Sequence, residues 1–354
     1  MRPIFYITFV LLLFVGCLPA TEVPFIELKG HTGVVYRAVF SPDGKKVITG
    51  GTGSPSPTAE SVRIWNVESG KELLKLAGVS YAQFSPDGRK IAVDEPQSRV
   101  VRIRDVESGK ELQKLAGYSS CFFPDNERMF THGRDGDYRL WNIESGKELQ
   151  TFEGGVSLVL SPDGKKIAVK KSDFCTLCIL DVESGKKLLK LEVGLSAVFS
   201  PDGKRIVATD YDARYLRSIV TEPFRSTSRM WDIETGKELH KFEGTVDIFS
   251  PDGKKIATSR ASVDEKDSVR IWDAESGKEL CKLQGDRVCA FSIDGKIVTS
   301  DGGHTRIWDA ESGKELQILE RYFLAISPDG KRIVTGFGPD SIVRIYDLSA
   351  MEKQ

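Results

Sequence analysis

The sequence predicts an all-β protein, an eight-bladed β-propeller of four-stranded antiparallel blades whose ring is closed by the N-terminal strand completing the last blade. Three observations carry this. A mark reading Ser-Pro-Asp-Gly or a near variant recurs at Ser41, Ser85, Phe123, Ser161, Ser200, Ser250, Ser292 and Ser327. Its spacing of about forty residues is the period of a four-stranded blade. Around each mark the apolar residues alternate with a period of two, and many are β-branched, which is strand patterning. Finally, the eighth unit stops at Leu348 after three such segments, whereas the first is preceded by FIELKGH, residues 25–31, which matches fourth-strand text such as LLKLAG.

Taken in chain order, residues 1–20, MRPIFYITFVLLLFVGCLPA, join a short basic start to an apolar run from Ile4 to Gly16 and then to small residues. This is the pattern of an export signal, and the run is shorter than the roughly 20 apolar residues that span a bilayer. Phe14-Val15-Gly16-Cys17 resembles the lipobox of bacterial lipoproteins, in which Cys17 becomes the acylated N-terminus; ordinary cleavage after Ala20 is the alternative. The expectation is an exported protein of the periplasm or cell envelope, touching the membrane only through a lipid anchor at Cys17. Residues 21–24 read as a short linker, 25–348 as one propeller domain and 349–354 as a tail.

Each unit repeats one grammar. A first strand ends on an apolar residue just before the mark (Phe40, Phe84, Phe122, Leu160, Phe199, Phe249, Phe291, Ile326), and Pro-Asp-Gly then turns the chain. A second strand holds an apolar position early (Val47 in the first unit, Ile333 in the last), and a third reads VRIW or a relative. An Asn or Asp follows in every unit (Asn66, Asp105, Asn142, Asp181, Asp232, Asp273, Asp309, Asp347). Such a side chain bonds backbone amides two residues on, and Glu-Ser-Gly-Lys completes the turn into a fourth strand such as KELLKL. These acidic residues are expected to be turn chemistry, not catalysis. The turn FFPDNE in the third unit and the apolar Leu180 in the fourth mark the places where a blade would be distorted.

Charge is balanced, with 50 basic and 51 acidic residues for a net charge of −1, spread through every segment, which argues against nucleic acid as a partner. Beyond Cys17 there are five cysteines, Cys121, Cys175, Cys178, Cys281 and Cys289, an odd number that makes a poor disulfide framework for an exported chain. Cys175 and Cys178 lie in the strand-like run FCTLCIL, where positions three apart face opposite ways, so buried thiols are expected.

These features resemble the WD40-repeat β-propeller family over nearly the whole chain after the signal. Trp65-Asn66, Trp141-Asn142, Trp231-Asp232, Trp272-Asp273 and Trp308-Asp309 sit at the family's signature position, while Arg104, Leu180 and Tyr346 replace the Trp elsewhere. The resemblance implies two rims. Loops from second to third strand, and from fourth strand to the next blade, share the top; the marks and the Glu-Ser-Gly-Lys turns share the bottom. The family's Gly-His pair survives only as Gly30-His31, so its hydrogen-bonded network is not carried over, and apolar packing is expected to stiffen the blades instead.

Recognition is expected on long loops of a rigid scaffold. Blade 1 inserts GTGSPSPTAES, blade 6 RASVDEKDS and blade 5 DYDARYLRSIVTEPFRSTS. The blade 5 loop carries Tyr211, Arg214, Tyr215, Arg217, Phe224 and Arg225, residue types enriched at interaction hot spots, and these are the candidate partner-binding residues. His31, His132 and His304 fall on three separate blades, an arrangement unsuited to one metal ion. The acidic runs RDGDY at 134–138 and DYDA at 210–213 lack Ca²⁺-loop spacing and read as solvated turns. The sequence carries no phosphate loop, nucleophile elbow or haem-attachment motif. No metal, cofactor or catalytic residue is expected. The resemblance implies a monomeric, non-catalytic scaffold that binds a protein or peptide through top-rim loops; the alternative is a propeller enzyme or glycan-binding module with a polar axial pocket.

Overall fold

The computed structural model describes residues 23–51, 61–77, 79, 81–95, 98–173, 176–193, 196–211, 226–259, 268–336 and 341–349. Among them thirty-two strands pair into eight four-stranded antiparallel sheets. In blades 1 to 7 the order within the sheet follows the chain: in blade 1, Val35–Phe40, Lys46–Gly51, Ser61–Asn66 and Glu72–Ala77. First strands of neighbouring blades pack on one another, Val35–Phe40 against Tyr322–Ile326 and Thr245–Phe249 against Arg287–Phe291, so they surround the axis.

Blade 8 closes as the sequence predicts. The N-terminal strand Phe25–Leu28 lies against Val343–Asp347 with Phe25 opposite Tyr346, Ile26 opposite Ile345, Glu27 opposite Arg344 and Leu28 opposite Val343. The Asp347 amide donates to the Pro24 carbonyl at 3.1 Å. Arg344 lies 4.4 Å above the Phe25 ring and 3.4 Å from the Glu27 carboxylate.

The core is not one mass but eight clusters, one between each pair of neighbouring blades. The cluster joining blades 8 and 1 is built like the others, from Leu28, Val343 and Ile345 on one side and Val35, Val47 and Trp65 on the other. Period-two alternation therefore serves two interfaces at once, since each face of a blade meets a different neighbour.

The near-identity of the bottom turns has a packing cause. A Cβ on Gly88 would lie 3.4 Å from Pro42 of the preceding blade, one on Gly164 3.1 Å from Pro124, and one on Gly253 3.3 Å from Pro201. At these marks the Pro of one rests on the Gly of the next, as Pro328 of blade 8 does on Gly44 of blade 1, whereas a Cβ on Gly203 or Gly330 would meet Asp163 or Asp294 and one on Gly295 nothing within 4 Å. In the other bottom turns, a Cβ on Gly70 would meet Ile26 of the closing strand, the same relation that Gly109 bears to Leu74 and Gly236 to Leu189.

Several details differ from expectation. Blade 3 is regular: Asn126 adopts φ 64°, taking the place of the turn Gly, and its side-chain oxygen accepts the Asp87 amide of blade 2 at 2.8 Å. Asn is among the few residues that tolerate this region. Blade 4 is regular too, with Leu180 half-buried against the cluster between blades 3 and 4. The turn before the fourth strand is bonded three residues on, not two: Asn66 Oδ1 accepts both the amide and the hydroxyl of Ser69 at 2.8 Å. The two-residue span belongs to the marks, where Asp43 accepts the Lys45 amide at 3.0 Å. In blades 1 to 7 the fourth strand also carries a bulge, in blade 1 between the partners of Ile64 and Trp65, which leaves Leu73, Leu112, Leu149 and their counterparts exposed.

Candidate functional site

The two rims use their polar groups differently. On the bottom, the marks that carry Ser bond within themselves: Ser41 donates to Asp43 at 2.6 Å and accepts the Lys46 amide at 2.9 Å, and the pattern repeats in the other Ser-bearing marks. Hydroxyls of Ser108, Ser184, Thr235, Ser276 and Ser312 hold Asp105, Asp181, Asp232, Asp273 and Asp309 below the usual carboxylate range. A carboxylate committed to its own turn has little left for a ligand.

Toward the top, the polar network differs from the expected apolar stiffening. Trp65, Trp141, Trp272 and Trp308 donate through Nε1 to Thr49, Thr131, Thr258 and Thr299 at 2.7, 2.8, 2.9 and 2.9 Å. In blade 1 the Thr49 hydroxyl lies 2.7 Å from His31 Nε2, and burial, with Arg63 and Lys75 near, lowers the His31 pKa to about 4. In blades 3, 6 and 7 no His side chain bonds the corresponding Thr among the described residues. There the Thr hydroxyl donates to a backbone carbonyl, that of Ala116, Glu243 or Gln284, at 2.7 to 2.8 Å. The residue after each is Gly117, Gly244 or Gly285, all at positive φ, and a Cβ on Gly117 would lie 2.7 Å from Thr131 Oγ1. A Trp–Thr–carbonyl relay thus replaces the Gly-His network in blades with short connections, and the Thr two residues past the apolar position of the second strand was its sequence signal.

Near the axis, Asp247 bulges from the first strand of blade 6 and bridges to blade 7. Its carboxylate accepts the Ser259 hydroxyl at 3.1 Å and the Val288 amide at 3.3 Å, and burial raises its pKa to about 6. Arg287 and the Cys289 thiol lie beside it, and burial pushes that thiol up to about 11. Cys121, Cys178, Cys281 and Cys289 are free and only Cys178 is fully buried; Cys175 lies outside the described residues.

Between blades 2 and 3 the top rim opens into a pocket of about 510 Å³, lined by Arg99, Ala116, Gly117, Tyr118, Gly133, Arg134, Asp135 and Arg139. Arg139 is tied to Asp135 and lies 3.6 Å from Glu148, and its bond holds the Asp135 carboxyl down to about 2. Gly133 makes room for this, since a Cβ there would strike the Arg139 guanidinium. Arg99 and Arg134 are exposed, and among the described residues their side chains have no hydrogen bond or ion pair. The Arg99 backbone is held at φ 55°, with its carbonyl accepting the Gly117 amide at 3.0 Å. Tyr118 is the aromatic residue of the lining, and behind it His132 meets its edge at 5.1 Å and stacks on Tyr138 with centroids 4.5 Å apart.

The candidate partner-binding residues Arg214, Tyr215, Arg217, Phe224 and Arg225 lie outside the described residues, as do Cys17 and residues 52–60 and 260–267 of the blade 1 and blade 6 insertions. Tyr211 ends the strand Arg205–Tyr211. RDGDY is a solvated turn, as expected, with Asp135 on Arg139 and Asp137 accepting the Gly154 amide at 2.7 Å. What sequence reading missed is that this turn faces Arg99 of the neighbouring blade, a meeting of residues 35 positions apart. His31, His132 and His304 are not brought together, and among the described residues no three His, Cys, Asp or Glu side chains cluster as metal ligands would.

The profile of the family WD domain, G-beta repeat, matches residues 22–66 and 321–347, the two ends that meet in blades 8 and 1. Comparison with curated proteins gives no match. Among solved structures, the crystal structure of the computationally designed Ika8 protein is similar with a TM-score of 0.69 at 18% identity, covering 92% of this chain and 100% of that one. At that identity the likeness is one of fold. Repeat matches at both ends accompany the eight four-stranded blades of a β-propeller.

Proposed function

We propose that this chain is a non-catalytic propeller scaffold for protein–protein interaction at the bacterial cell envelope, binding its partner through the top rim. The observation that carries the reading is an asymmetry of the rims: the Asn and Asp side chains of the bottom bond within their own turns, whereas at the top two guanidinium groups with no partner among the described residues converge on one open pocket. Free charge on a rigid frame is available for recognition, and closed turns are not. The envelope assignment rests on the signal-like residues 1–20. Phe25 starts its strand at the bottom, opposite Tyr346, so a lipid on Cys17, eight residues away, would tether that rim within about 28 Å of the membrane. The top would then face outward.

Crosslinking and affinity purification from envelope preparations test this with three proteins: the intact chain, a variant lacking residues 211–225 and a bottom-rim variant, Arg89→Ala. The intact chain and the bottom-rim variant should recover the same partners, and the loop deletion should lose them. Equal recovery by all three would remove the blade 5 loop from the account. Acyl labelling of the wild type against Cys17→Ser reads the anchor directly.

A further inference from the structure

We propose that the pocket between blades 2 and 3 is a carboxylate-recognition point that seats an acidic side chain of an extended polypeptide partner; this rests on the reading of the top rim as the partner-binding surface. Arg99 and Arg134 converge on the pocket from two blades with no partner of their own among the described residues. Guanidinium is a planar fork that matches a carboxylate with two parallel hydrogen bonds. Arg139, the third basic group, is already neutralised by Asp135, which leaves the site with two uncompensated positive charges.

The rest of the lining suits a peptide better than a free ion. Gly117 leaves backbone uncovered by a side chain, and Tyr118, backed by His132, gives an aromatic face beside the charged mouth. The positive φ of Arg99 adds a local constraint: its carbonyl is bonded to Gly117, which pins the strained residue at the blade boundary.

The test is fluorescence anisotropy on the full chain with fluorescein-labelled hexaglutamate as probe and hexaglutamine, citrate and inorganic phosphate as comparisons. The wild type should bind hexaglutamate and not hexaglutamine, and the affinity should fall at least about tenfold in Arg99→Ala/Arg134→Ala, the loss expected from removing charge-assisted pairs. Arg89→Ala, an exposed bottom-rim arginine, should bind like the wild type. Circular dichroism of the double variant should overlay the wild type, since neither side chain is in a hydrogen bond. Equal binding by the double variant, or none by the wild type, overturns the proposal. So does displacement of the probe by phosphate or citrate at concentrations matching the peptide's own, which would make the pocket a free-anion site. In the crosslinking experiment, a double variant that keeps every partner sinks this inference and leaves the rim reading standing. A wild type that recovers none sinks the rim reading, whatever the titration gives.

Discussion

Thr335 and Thr258 occupy the same place in blades 8 and 6, and the aromatic residue beside them decides what each hydroxyl is worth. Thr258 accepts from Trp272 and donates to the Glu243 carbonyl. Thr335 faces a blade with Tyr346 instead of Trp, and its buried hydroxyl has no partner among the described residues. An unpaired buried hydroxyl costs free energy, while replacing a satisfied one strands both of its neighbours. Thr335→Val should therefore be neutral or stabilising, and Thr258→Val should cost about 1–3 kcal/mol in urea denaturation; equal losses would remove the relay from the account. A second contrast is in pH. The Asp247 carboxyl is raised to about 6, so between its ordinary 3.8 and 6 the folded state holds a proton that the unfolded chain has released, and stability falls as pH rises. His31 is lowered to about 4, so between 4 and 6.5 the unfolded chain takes a proton that the folded state refuses, and stability falls as pH drops. The two slopes oppose each other. Measured against the wild type, the urea midpoint of His31→Gln should fall less steeply as pH drops from about 6.5 to 4, and that of Asp247→Asn should rise more steeply from about pH 4 to 6. Parallel curves for both variants and the wild type would show that neither group titrates as its surroundings dictate.

At the scale of strands and turns, the repeated Gly of the bottom rim does two jobs that substitution can separate. Gly70 and Gly295 both sit at positive φ, but a Cβ on Gly295 meets nothing within 4 Å, whereas one on Gly70 would lie 2.5 Å from Ile26 Cγ2. Gly295→Ala should cost only the backbone term, about 1–2 kcal/mol. Gly70→Ala should cost more, and Ile26→Ala added to it should recover part of the excess, so the double variant loses less than the sum of the singles. Additive losses would mean that the closing strand does not rest on that turn. This scale is also where the sequence was most legible. Thirty-two strands, the marks and the closing strand follow from alternation and turn residues alone, because each is encoded locally. The fourth-strand bulges were not legible: one extra residue in a run such as KELLKL leaves an apolar pattern that reads equally well without it. Bulges at an outer edge twist it away from edge-to-edge pairing, which suits a ring that exposes one outer strand per blade. The pocket was hidden for a different reason. Arg99 and Arg134 are unremarkable in their own units and gain meaning only when two blades are set side by side.

For the molecule as a whole, stability is carried by eight neighbour interfaces, and the ring removes the two open faces that a linear array of blades would leave. Covalent continuity lapses inside a blade at one place, between Asp347 and Phe25, so the circle depends on a strand of four residues held without a connecting turn. Removing Phe25–Leu28 takes away Leu28, which is fully buried, and leaves Val343 and Ile345 with an exposed edge. The direct loss from Leu28 alone is about 1.5–3 kcal/mol. The larger effect should be on cooperativity, because the interface between blades 8 and 1 then opens and both blades lose a neighbour. A chain lacking residues 23–28 should show a lower urea midpoint by tryptophan fluorescence, with Trp65 at the opened interface reporting earliest. A synthetic peptide spanning residues 23–31, added in trans, should restore the midpoint in a saturable way, and a scrambled peptide should not. If the truncated chain unfolds at the wild-type midpoint, the ends meet without holding the ring. If the midpoint falls but the peptide fails to restore it, the strand's contribution lies in covalent attachment rather than in the Phe25 to Leu28 pairing.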